Sequence, residues 1–204
     1  MSDACEGNSP DPMALAADAA SRFPQAVDLI LAELHGALAS VNATALREAA
    51  TVLLKAERIF VIGAGRSGLA ARMGAMRLMH FGLAVHVAGE VTAPPIAASD
   101  ALLAVSGSGS TPGIVQGAEV ASKAGAGIVA ITTAAGSRLA ALARVVLVVD
   151  AAAKLDRSGA TSQQYAGSLF EQAVMLVFDA LFHALWQASG VDAAALWSRH
   201  TNLE

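Results

Sequence analysis

Ile59-Phe60-Val61-Ile62-Gly63-Ala64-Gly65-Arg66-Ser67-Gly68 decides the fold: four apolar residues run into a glycine turn and then into helix-compatible sequence. A short apolar run closed by glycine is the signature of a buried strand feeding a helix. Four more runs resemble it, at Val85-His86-Val87, Leu102-Leu103-Ala104-Val105, Ile128-Val129-Ala130-Ile131 and Val145 to Val149. Several are apolar on both faces, as strands of a parallel sheet covered on both sides must be. Strand–helix alternation of this kind predicts an α/β fold, a doubly wound five-stranded parallel sheet flanked by helices. Outside the alternation lie terminal helices. One pattern begins at Pro24 (Val27, Ile30, Leu31, Leu34, Leu38), and a second follows the N-cap candidate Asn42. A long helix is expected from about Leu169 to Ala188, and a short one after Asp192. Residues 1–21 show no sustained apolar stripe and are expected to form a flexible leader, leaving residues 22–204 as a single domain.

Composition narrows the function classes. Of 204 residues, 55% are hydrophobic, 15% charged and 4% aromatic, so the core is built from Ala, Val and Leu and the surface is rather apolar. Such a surface favours self-association, and a homo-oligomer, dimer or tetramer, is expected. A net charge of −4 leaves no basic stripe for nucleic acid. Cys5 is the single cysteine, which excludes a disulfide within the chain. No basic residue precedes Arg22 and charges interrupt the long apolar runs, so no signal peptide or membrane partner is expected and the location read is cytoplasmic.

Two loops carry chemistry. Gly63 to Gly68 spells G-x-G-x-x-G, and Glu90 lies about 20 residues on, as a ribose-binding acid would in a dinucleotide site. The other loop, Ser106-Gly107-Ser108-Gly109-Ser110-Thr111, precedes Pro112, a residue suited to the first turn of a helix. Its glycines let backbone N–H groups converge, its hydroxyls add donors, and the helix N-terminus adds positive partial charge. That is a phosphate cradle without a lysine, and it argues against the dinucleotide. In parallel sheets both loops fall where ligands bind, beyond the carboxyl ends of the strands.

Acid–base groups lie further on. Ser168-Leu169-Phe170-Glu171 is an S-x-x-E capping box, in which Glu171 satisfies a backbone N–H. Glu171 also shares a helix face with Met175, Phe178 and Phe182, where a partly desolvated carboxylate becomes a better proton acceptor. Both roles remain open on the residues alone. Arg66 suits either a phosphate or a surface carboxylate, and Tyr165 either lines the pocket or packs beside it. Asp179 and His183, four apart on one helix face, are too few ligands for a metal site.

The order GAGRSG, Gly89-Glu90-Val91-Thr92-Ala93-Pro94, SGSG-x-T, AIT, GS-x-FEQ and Arg199-His200-Thr201-Asn202-Leu203-Glu204 resembles the 6-phospho-3-hexuloisomerases of the sugar isomerase (SIS) family, over roughly residues 24–204. The resemblance implies the SIS fold and interconversion of D-arabino-hex-3-ulose 6-phosphate with fructose 6-phosphate through a cis-enediolate, in the ribulose monophosphate pathway of formaldehyde metabolism. It implies a sugar-phosphate partner and neither cofactor nor metal. It matches Ser67 and the loop Ser106, Gly107, Ser108, Gly109, Ser110 and Thr111 to phosphate binding, with Arg66 beside them. Glu171 matches the proton-abstracting carboxylate, and His200 a histidine contributed to a neighbouring subunit's site. Two departures stand out: Ser110 where the family often carries Glu, and the added leader.

Overall fold

The computed structural model describes residues 11–154, 156 and 158–203. In chain order the elements are α1 (Pro12–Ala39), α2 (Ala43–Lys55), β1 (Ile59–Gly63), α3 (Gly65–Phe81), β2 (Val85–Val87), β3 (Ala101–Val105), α4 (Pro112–Lys123), β4 (Gly127–Thr132), α5 (Arg138–Leu142), β5 (Val145–Val148), α6 (Ser168–Ser189) and α7 (Ala193–Trp197). All five expected strands form, and every pairing is parallel, in the order β2-β1-β3-β4-β5.

Alternation along the strands builds two cores. Ile59, Val61, Leu103, Val105, Val129 and Ile131 face one side, where α1, α2, α3 and α6 supply Leu34, Leu53, Leu78 and Phe178. Phe60, Leu102, Ala104, Ile128 and Ala130 face the other, under Ile114, Val115 and Ala118 of α4 and Leu139 of α5. Because β1 sits between β2 and β3, the chain leaves it in one direction and returns on its other side. The gap between the loops after β1 and β3 is therefore the topological switch point.

One expectation is corrected. Helix α1 begins at Pro12, so residues 12–21 are helical and not a flexible leader; residues 1–10, with Cys5, lie outside the described residues. The start has local causes: the Asp11 side chain accepts from the Met13 N–H at 3.1 Å, Pro12 occupies the first turn, and alanine dominates the next two turns. An apolar stripe was the wrong signal there, since residues 12–26 are exposed. Asn42 and Asp192 cap α2 and α7 as expected, accepting from Ala45 N at 3.0 Å and Ala195 N at 2.7 Å. Helix α6 is long and apolar enough to cross a membrane, but it buries Phe170, Val174, Phe178 and Leu181 in the core.

The closest approach in that core is between α3 and α6. A Cβ added at Gly74 would lie 2.2 Å from the Phe178 ring, so only glycine lets the ring sit flat on the helix backbone. Gly74→Ala gains helix propensity yet forces the helices apart, and is expected to destabilise the fold by about 1–3 kcal/mol in urea unfolding. Shrinking the ring in a Gly74→Ala/Phe178→Leu double variant should recover part of the loss.

Candidate active site

Three helix N-termini meet at the switch point. The first glycine loop opens α3: Gly65 takes φ +58°, and Gly63 and Gly68 touch, a Cβ on Gly68 falling 2.7 Å from the Gly63 carbonyl oxygen. These glycines are explained by tight strand–helix packing alone. Glu90, the ribose-binding candidate, is ion-paired with Arg72 and does not line the cavity.

The second loop is pinned from β4. The Gly107 carbonyl accepts from the Thr132 hydroxyl, the Thr133 hydroxyl and the Thr133 N–H, each at 3.0 Å. With its carbonyl so engaged, the loop turns its hydroxyls toward the opening. The Ser106 and Thr111 hydroxyls lie 2.9 Å apart, and Ser110 donates to Ser108 at 3.0 Å. Pro112 occupies the first turn of α4 as expected. Gly109 is an exception among the expected binding residues. It takes φ +59°, a Cβ there would lie 2.0 Å from Ser137 Oγ, and its carbonyl accepts from Leu139 N. It shapes the loop and does not line the cavity.

A cavity of about 470 Å³ results, lined by Arg66, Ser67, Ser106, Gly107, Ser108, Ser110, Thr111, Phe170 and Glu171 among others. Helix α6 delivers Glu171. The capping box does not form: Gly167 is the N-cap, without a side-chain cap bond, so Ser168 is already helical and Glu171 lies one residue past the position where such a box closes. The Glu171 carboxylate instead meets Arg66, Nε to Oε2 2.6 Å, with the carboxylate side chain one-fifth exposed. Arg66 thus reaches a carboxylate, but one inside the cavity and not on the outer surface. Lys154, from the β5–α6 connection, also lines the cavity. The sequence reading missed it, because no motif marks a lysine that far from the hydroxyl loop. Tyr165 is almost fully exposed outside this cavity.

His200 is not brought to this site. Its ring stacks on His80 at 3.9 Å between centroids and lies 4.7 Å from Trp197. His80 ends α3 and Ser67 begins it, which separates them by about 20 Å along the axis. Arg199 holds the tail there, donating to the His80 carbonyl at 3.1 Å and lying over Gly82, the left-handed residue that stops α3. A guanidinium on the last carbonyls of a helix is well placed for both hydrogen bonding and the helix dipole. Asp179 pairs with Arg77 at 3.2 Å rather than with His183, and no group of three or more potential metal ligands occurs among the described residues.

A parallel sheet with a hydroxyl-rich cradle and a carboxylate at its switch point is the architecture of a sugar-phosphate domain, and the chain belongs to the SIS domain family, whose model matches residues 52–184. Within that family it is 51% identical over 178 residues to the 3-hexulose-6-phosphate isomerase of Mycobacterium gastri, covering 87% of this chain and 89% of that protein. The 3-hexulose-6-phosphate isomerase of Bacillus subtilis is 35% identical, over 86% and 95% of the two chains. Among solved structures, a Methanococcus jannaschii protein whose crystal structure infers a function of 3-hexulose-6-phosphate isomerase matches with TM-score 0.73 and 27% identity, over 88% of this chain and 99% of that one.

His80 makes the tail contact sensitive to acid. It is buried, and burial first, then His200 and Arg77 beside it, hold its imidazole below the ordinary value. The unfolded chain protonates at about pH 6.5 while the folded chain resists, so stability is full above that pH and falls as pH drops toward the folded value. His80→Phe keeps the stack and removes the proton. Its unfolding midpoint is expected to lose pH dependence just below 6.5 relative to the parent.

Proposed function

We propose that the chain is a 3-hexulose-6-phosphate isomerase, interconverting D-arabino-hex-3-ulose 6-phosphate and fructose 6-phosphate in the cytoplasm, within the ribulose monophosphate route of formaldehyde metabolism. The observation that carries this is one cavity in which Glu171 faces the hydroxyl loop Ser106–Thr111, in a chain half identical to an enzyme of that name.

The mechanism rests on the groups present. The phosphate is held by Ser67 and by the hydroxyls and N–H groups of the second loop, at helix N-termini, and by Lys154 from the β5–α6 connection. Anchoring the far end of the sugar holds carbons 2 and 3 in register with the carboxylate. Glu171 removes the proton on carbon 2, acidified by the adjacent carbon 3 carbonyl, and a cis-enediolate forms across the two carbons. The same carboxylate returns the proton to carbon 3. The hydroxyl proton passes from the carbon 2 oxygen to the carbon 3 oxygen, and the carbonyl is then on carbon 2. Loop donors stabilise the developing oxyanion. Arg66 shares the cavity, and a phosphate dianion is a bidentate competitor for the guanidinium now on Glu171. Cyclisation pulls toward fructose 6-phosphate. That sugar closes through its carbon 5 oxygen, whereas the 3-keto sugar has its carbon 6 oxygen blocked by phosphate.

Self-association is part of the reading. Leu69, Met73, Met76 and Met79 are exposed along one face of α3, running away from the Ser67 end of the cavity. A second copy on that stripe would bury it and bring a neighbouring tail, with His200, toward the site.

With fructose 6-phosphate in heavy water, deuterium is expected at carbon 3; appearance at carbon 1 instead identifies an aldose–ketose isomerase. Glu171→Gln should keep sugar-phosphate binding and lose about 10²–10⁴ of the exchange rate, and full retained exchange would remove Glu171 from the mechanism. For Arg66→Gln, KM is expected to rise about tenfold or more. Met76→Glu should shift the mass seen by light scattering toward the monomer and lower activity with it.

A further inference from the structure

The connection from β5 to α6 is tied to α1 at two levels. Asp150 N–H donates to Ser40 Oγ, at the C-terminal end of α1, at 3.0 Å. Two turns earlier on the same helix, Glu33 accepts three hydrogen bonds from the far end of the connection. Oε2 takes Ser162 Oγ at 2.7 Å and Gln164 Nε2 at 2.9 Å, and Oε1 takes Gln163 N–H at 2.7 Å. Ser162 is buried, and its hydroxyl also accepts from Gln164 N–H at 3.0 Å. Burial works against the charge on Glu33, but the donors from Gln163, Ser162 and Gln164 outweigh it and hold the carboxyl below its ordinary range. A carboxylate with this many donors is a fixed anchor rather than a solvated surface charge.

Between the two ties lies Lys154, which lines the cavity beside the hydroxyl loop. Two residues after the Glu33 clasp comes Ala166, the one non-glycine residue with positive φ, at 52°, among the described residues. It is followed at once by Gly167 and the head of α6, which carries Glu171. An alanine in this left-handed region is strained and persists only where its surroundings hold it. The turn is closed locally by Ser168 N–H donating to the Tyr165 carbonyl at 3.2 Å, and the clasp fixes the stretch of chain that leads into it.

We infer that Glu33, although on a helix outside the cavity, is a positioning residue for its anion site: by clamping residues 162–164 it sets where Lys154 and the head of α6 stand relative to the hydroxyl loop. This rests on the cavity being a phosphate site, as proposed above, but not on the reaction performed there. The ligand chemistry is a phosphate dianion, and the geometry of Lys154 toward it is what Glu33 controls.

The test is a double-mutant cycle read by calorimetric titration with inorganic phosphate on the full chain. Lys154→Met and Glu33→Gln are each expected to weaken phosphate binding about tenfold, and the double variant to be little weaker than Lys154→Met alone. Should Glu33→Gln fail to fold, Ser162→Ala removes one donor while leaving the carboxylate paired with Gln163 and Gln164. It enters the same cycle with a smaller effect in the same direction. Phosphate affinity unchanged in Glu33→Gln and Ser162→Ala overturns the inference. So does a Lys154→Met loss of the same factor with Glu33 intact and replaced, since a merely structural role gives additive losses. Protein that passes the cycle but exchanges no deuterium refutes the isomerase reading and leaves Glu33 in place. Protein that isomerises fructose 6-phosphate while its phosphate affinity ignores Lys154 does the reverse.

Discussion

The contact of Gly74 with the face of Phe178 sets the spacing of α3 and α6, and the site depends on that spacing. Arg66 and Ser67 stand at the head of α3, and Glu171 stands at the head of α6. Their helices are rigid rods that cross in the core, so a shift of an ångström at the crossing is carried to both heads. The Arg66–Glu171 pair at 2.6 Å is the readout of this geometry. Packed interiors tolerate little change in volume, which makes a glycine in mid-helix worth its entropic cost here.

Charge at the switch point is mostly positive, with one carboxylate set into it. Three helix N-termini, Arg66 and Lys154 face a single carboxylate. Arg66 is the cavity cation ion-paired with that carboxylate, at 2.6 Å. Glycine serves in both loops for close packing. Gly63 and Gly68 bring backbone onto backbone, and Gly109 yields its space to Ser137. Neither of these contacts is with a ligand, although both lie within motifs that pattern alone assigns to ligand binding.

The opposite end of α3 has a separate organisation. Arg199 and His200 close the chain onto His80 and Gly82, with the imidazoles stacked. Residues that the family pattern assigns to an active site are here engaged with the base of their own helix. Between the two ends of α3 runs the exposed stripe Leu69, Met73, Met76 and Met79.

The sequence by itself determined the sheet. Short apolar strands, several of them apolar on both faces and the first four closed by glycine, proline or hydroxyl turns, point to a covered parallel sheet, and Ile59–Gly63 was legible at once. Caps at Asn42 and Asp192 were legible for the same reason, since short polar side chains act on the backbone beside them. The loop Ser106–Thr111 and Glu171 were legible as candidates, but not their company. The Glu33 clasp spans some 130 positions and Lys154 reaches a loop over forty residues away. The start of α1 at Pro12 escaped because its cause is alanine propensity rather than an apolar stripe. That Glu171 forms no capping box and enters the cavity, and that His200 stacks on His80, emerged only in three dimensions. Local bonds are written in neighbouring residues, whereas which distant groups share a cavity is set by how the helices pack.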